Sequence, residues 1–134
     1  GRPFDVPGER PLWRILLLGG ERCDEECRHL LYYTRQIHTA MGKYTNRIER
    51  VYLAAGVQPG SNPLGEFADD YPDLNLLYTS APAGAALARL AGGEPRPGYF
   101  VVDPEGWVIL SYAADADGKD IMADLKFLLK NSNG

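Results

Sequence analysis

Residues 13–42 read WRILLLGGERCDEECRHLLYYTRQIHTAMG, and the change of rhythm inside that stretch decides the fold. Trp13 to Leu18 is a nearly continuous apolar run closed by Gly19 and Gly20. A short run bounded by turn residues suits a central strand that helices cover on both faces. From Asp24 to Gly42 the period changes. Cys27, Leu30, Leu31, Thr34, Ile37, His38 and Met41 recur at helical spacing, and Gly42 supplies a stop. Strand, tight turn and helix follow one another, and the chain's two cysteines, Cys23 and Cys27, stand at the junction.

Working outward, Ile48–Ala54 (IERVYLA) reads as a second strand and Leu74–Tyr78 as a third. Between them Pro63 opens a predicted helix running to about Tyr71. Ala83–Leu90 is a small-residue helix, followed by the Gly92–Gly98 loop (GGEPRPG). Tyr99–Val102 and Trp107–Tyr112 are strands joined by Asp103-Pro104-Glu105-Gly106, where Pro presets φ and Gly accepts a positive one. A last helix covers Lys119–Lys130, with Ile121, Met122, Leu125, Leu128 and Leu129 on one face. The order β-α-β-α-β-α-β-β-α gives an α/β domain: a central mixed sheet, parallel except for a closing antiparallel hairpin, flanked by helices. That arrangement is the thioredoxin-like fold.

A chain of 134 residues makes one domain, and one this size builds a core without needing a metal or disulfide to hold it. Residues 1–11 (GRPFDVPGERP) read as an irregular lead-in and residues 12–134 as the domain. The expectation is that the lead-in links the domain to a membrane anchor ahead of Gly1. The net charge of −4 argues against nucleic-acid binding. No run reaches the roughly 20 apolar residues of a membrane-spanning helix. Tyr32-Tyr33, Tyr99-Phe100, Trp13 and Trp107 read as packing residues.

Cys23 and Cys27 are one helical turn apart, so on a helix their side chains share a face at about 5–6 Å. Three readings stay open: two inert buried cysteines, a structural disulfide, or a reactive redox or metal-binding pair. The helix N-terminus favours a thiolate, whereas Asp24, Glu25 and Glu26 oppose one; Arg22 and Arg28 partly offset them. His29 lies about 200° round the helix from Cys27, and His38 returns to the same face only about 16 Å along the axis. Neither histidine has a paired nucleophile, so hydrolysis has no support. Asp103 reads as a turn opener; Asp115, Asp117, Asp120 and Asp124 read as a helix start and solvated face.

The strand-Gly-Gly-x-x-Cys23-Asp24-Glu25-Glu26-Cys27 stretch, with Tyr99-Phe100-Val101-Val102-Asp103-Pro104-Glu105-Gly106 downstream, resembles the Sco/SenC family. Those are membrane-anchored, thioredoxin-fold copper chaperones of cytochrome c oxidase assembly. The resemblance implies an extracytoplasmic, periplasmic and membrane-tethered protein that acts through Cys23 and Cys27, either by thiol-disulfide exchange or by weak Cu(I) handling. It implies as partner a protein client with cysteines or a copper site, an oxidase subunit being the family's example. Two departures matter. The family's third copper ligand, a histidine, has no counterpart in Gly93–Gly98, and Arg28 replaces the proline after the second cysteine. Two sulfurs alone suit Cu(I). The loss of the histidine favours thiol chemistry, with Cys23 the more exposed thiol. The alternative is a non-catalytic assembly scaffold with a permanent disulfide. Pro97 sits in a G-x-P-x-x-F-x-x-D setting similar to the TlpA-like oxidoreductases, which implies a cis-proline opposite the cysteines; an ordinary trans loop proline is the alternative.

Overall fold

The computed structural model describes residues 12–20, 22–90, 98–113 and 118–131. The lead-in, Pro97 with most of its loop, and Asp115 and Asp117 lie outside the described residues.

Trp13–Gly19 forms β1, Ile48–Ala55 β2, Leu74–Thr79 β3, Gly98–Val102 β4 and Val108–Ala113 β5. They make one sheet in the order β3-β2-β1-β4-β5. β1 runs parallel to β2, and β2 parallel to β3; β1 meets β4, and β4 meets β5, antiparallel. The apolar run therefore does occupy the centre, and Ile15, Leu16 and Leu17 are buried on both faces. Helices α1 (Glu25–Ala40) and α3 (Gly118–Lys130) cover the face that carries Trp13, Ile15 and Leu17. Helix α2 (Ala81–Leu90) covers the other, where Leu87 packs with Leu16, Val51, Leu53 and Phe100. Each fully buried leucine or isoleucine, such as Ile121 and Leu125 of α3, contributes about 1.5–3 kcal/mol against exposure.

The expected helix from Pro63 to Tyr71 is instead a short 3-10 segment, Gly65–Asp70. The Asn62 side chain takes the Leu64 N–H into a turn at 3.2 Å, and Gly65 adopts φ +56°, so no regular helix continues from Pro63. A second 3-10 segment, Gly42–Arg47, which the periodicity does not foretell, follows α1; Gly42 turns the chain with φ +60°. At the β4–β5 turn Asp103 is a turn opener. Its carboxylate accepts the Glu105 and Trp107 N–H groups at 3.0 and 2.8 Å, and Gly106 takes φ +96°. Asp124 accepts a 2.7 Å bond from the Tyr112 hydroxyl. Two aromatic expectations fail: Tyr32 is 50% exposed and Trp107 41%. Tyr32 falls on the outer face of α1, and Trp107 on the turn itself.

Among the described residues, two charged side chains are buried within strands. Arg14 pairs with Glu49 (Nε to Oε1, 2.6 Å) and donates to the Leu12 carbonyl. Arg50 donates to the Leu31 carbonyl and Thr34 hydroxyl at 2.8 and 3.0 Å, and its burial lowers its pKa to about 10.

Candidate functional site

β1 carries the chain to the end of the sheet, where Gly19 and Gly20 turn it towards α1. Gly19 is a packing requirement: a Cβ there would lie 2.1 Å from the Tyr52 hydroxyl oxygen. Tyr52, aligned with Leu17 in the β1–β2 register, lies fully buried under the turn and donates its hydroxyl to the Gly20 carbonyl at 3.1 Å. Burial first, and the Asp24 carboxylate second, push its pKa up to about 12.

Cys23 precedes the N-cap of α1 and so lies outside the helix, whereas Cys27 lies within its first turn. Asp24 is the N-cap of α1; its carboxylate accepts the Cys27 N–H at 2.8 Å, so one of the three carboxylates between the cysteines is committed to the helix. The Cys23 N–H donates to the Pro63 carbonyl at 3.0 Å, tying the loop to the segment that follows β2. The two cysteines form a disulfide with Cα atoms 5.2 Å apart. Cys23 is half-buried and Cys27 only 7% exposed, so the sulfur reachable from solvent belongs to Cys23. Cys27 lies in the first turn of α1, where the unpaired N–H groups favour a departing thiolate.

Glu25 and Glu26, both exposed, join Asp24 and His29 around an open recess of about 510 Å³ at the start of α1. His29 is exposed and stacks on Tyr33 with ring centres 6.0 Å apart; the His38 ring hydrogen-bonds the Thr45 carbonyl at 3.0 Å. Neither joins the sulfurs. Among the described residues no group of three or more His, Cys, Asp or Glu side chains could hold a metal ion. Two thiolates, as the reduced pair would present, suit a soft, low-coordinate Cu(I) better than Cu(II) or structural zinc. Pro97, the third predicted site residue, lies outside the described residues. Tyr99, two positions later, pairs with Leu17, so β4 begins at the sheet end where the Cys23 loop leaves β1.

Sequence reasoning missed Tyr52 and Pro63. Alternation along Ile48–Ala54 puts Tyr52 on the α1 face near the strand's end, a signal that was there to read. The Pro63 carbonyl gives none, because it approaches Cys23 from 40 positions away.

A family model described as the transmembrane-like, thioredoxin-like C-terminal domain matches residues 13–132. Among curated proteins none matches in sequence. Solved structures do match in fold. Copper-bound ScoI of Arabidopsis thaliana is 14% identical with a TM-score of 0.69, over 92% of this chain and 87% of that one. Copper-bound yeast Sco1 is 16% identical with a TM-score of 0.68, over 91% and 82%. The thioredoxin domain of a thiol-disulfide oxidoreductase from Bacteroides vulgatus is 12% identical with a TM-score of 0.58, over 88% and 79%. The fold is thus the thioredoxin-like one that the Sco proteins share. Among the described residues no helix is long and apolar enough to cross a membrane.

Proposed function

This chain belongs to the family of transmembrane-like, thioredoxin-like C-terminal domains, and from that premise we propose that it exchanges thiols and disulfides with a protein client through Cys23 and Cys27. One observation carries the reading: a disulfide at the mouth of the β1–α1 turn, with its first sulfur half-buried and its second sealed in the first turn of the helix. That asymmetry suits sequential chemistry. In the reduced protein the Cys23 thiolate attacks a client disulfide, one client sulfur leaves as a thiolate, and a mixed disulfide forms. The Cys27 thiolate then attacks Cys23, expels the second client sulfur and restores the Cys23–Cys27 bond. The client gains two electrons and two protons, and a dithiol reductant must re-open the pair.

The setting we propose is extracytoplasmic, on the periplasmic side of a membrane that tethers the full-length protein. The proposed clients are proteins with cysteines or a copper site, in the manner of Sco proteins and oxidase maturation. Cu(I) enters as cargo: the two thiolates would hold it loosely until a client completes its coordination. The copper-bound Sco structures of the same fold support that second use. Pro97 is proposed to face the pair.

Equilibrating the protein in glutathione buffers tests the reading. Exchange at a potential above about −300 mV supports it. A disulfide that stays closed in those buffers overturns it in favour of a scaffold with a permanent bond. For the copper branch, competition titration of the reduced protein should show weak Cu(I) uptake that Cys23→Ser abolishes; uptake unaffected by that change removes Cu(I) from the proposal.

A further inference from the structure

We propose that Tyr52 is the positioning residue of the cysteine pair, holding the Cys23 thiol within bonding reach of Cys27 while the disulfide is open; the proposal rests on the exchange reading above. Among the described residues Cys23 has three restraints. One is the disulfide. The second is its own N–H bond to the Pro63 carbonyl, and the third is the Tyr52 hydroxyl bond to Gly20, which fixes the turn that delivers it. Reduction removes only the first. Opening the bond takes two electrons and two protons from a dithiol such as dithiothreitol, which closes to its own cyclic disulfide.

What remains must keep two thiols adjacent, or the mixed disulfide waits for its resolving sulfur. Tyr52 is built for that task. Its ring is fully buried in the core beneath the turn, and Gly19 lacks the Cβ that would otherwise push it aside. Its hydroxyl reaches the Gly20 carbonyl at 3.1 Å, on the stretch that leads into Cys23. Burial raises its pKa to about 12, so at neutral pH the hydroxyl is protonated and donates.

Tyr52→Phe keeps the ring and deletes the bond. The Cys23 segment then gains freedom in the dithiol state, where no covalent link restrains it, and less in the disulfide state. The oxidised-to-reduced ratio in a fixed dithiothreitol buffer should fall, by up to about fivefold, the equilibrium weight of one hydrogen bond felt in full by only one of the two redox states. That bound is about 20 mV towards easier reduction. The mixed disulfide with glutathione should also persist longer. A purely structural role would weaken both redox states equally and leave the ratio unmoved; that result overturns the proposal. Wild type failing to exchange with glutathione is a separate outcome that refutes the exchange reading, whereas the dithiothreitol ratio still reports on Tyr52. Should the variant not fold, hydrogen exchange on the wild type decides. Residues 19–24 should stay as protected after reduction as before, and loss of that protection would also overturn the proposal.

Discussion

Gly19→Ala should destabilise the protein severely, while the same change one residue later should be almost silent. The added methyl at position 19 would lie 2.1, 2.4 and 2.8 Å from the Tyr52 Oη, Cζ and Cε2 atoms. Ordinary contact needs about 3.5 Å or more, so the ring must withdraw by over an ångström. It has nowhere to go, because the ring is fully buried and its hydroxyl is bonded to Gly20. Overpacking of this kind costs about 1–3 kcal/mol. Breaking the bond and leaving the buried hydroxyl orphaned adds about 1–3 kcal/mol. The loss of unfolded-chain freedom returns about 0.4–1 kcal/mol. The net expectation is a loss of about 1–5.5 kcal/mol, centred near 3. At Gly20 a Cβ meets nothing within 4 Å, so Gly20→Ala should fall within about 0.5 kcal/mol of wild type. Urea denaturation of the oxidised proteins, followed by tryptophan fluorescence and fitted with a common m value, measures both. Two variants of similar stability would refute the reasoning, since they would mean that Tyr52 yields freely and does not pin the turn.

Three other outcomes follow from the same contacts. Asp24→Ala should lose about 0.5–2 kcal/mol of stability and Asp24→Asn much less, because asparagine also caps; equal losses would remove the cap as the cause. Glu49→Ala strands the buried Arg14 charge and should cost about 1–3 kcal/mol, short of a fully buried pair because Glu49 is partly exposed; replacing both residues by methionine should recover most of it. Stability should fall with rising pH above about 10: the unfolded chain ionises Tyr52 near 10 while the folded one holds its proton to about 12, so the unfolded state binds fewer protons in that window. Burial shifts Tyr99 and Tyr112 in the same direction. Midpoints recorded from pH 8 to 11 should show a shallower alkaline decline in Tyr52→Phe, and an identical decline would exclude Tyr52 as a contributor.

Periodicity and turn chemistry were enough to locate β1, α1, the Asp103–Gly106 turn and α3, because burial of an apolar stripe and the φ demands of Gly and Pro act within a few residues of chain. The same local information brought Cys23 and Cys27 together at the strand-to-helix junction and indicated a mixed α/β sheet. It overreached at Pro63–Tyr71, where side-chain bonds from Asn62 and the backbone of Gly65 outweighed a favourable helix start. What tertiary structure alone decided was the state of the site: a Tyr52 hydroxyl from a neighbouring strand under the Gly19–Gly20 turn, and a Pro63 carbonyl holding Cys23. Those restraints join residues 32 and 40 positions apart, and no local preference encodes which of many distant partners the packed core will deliver.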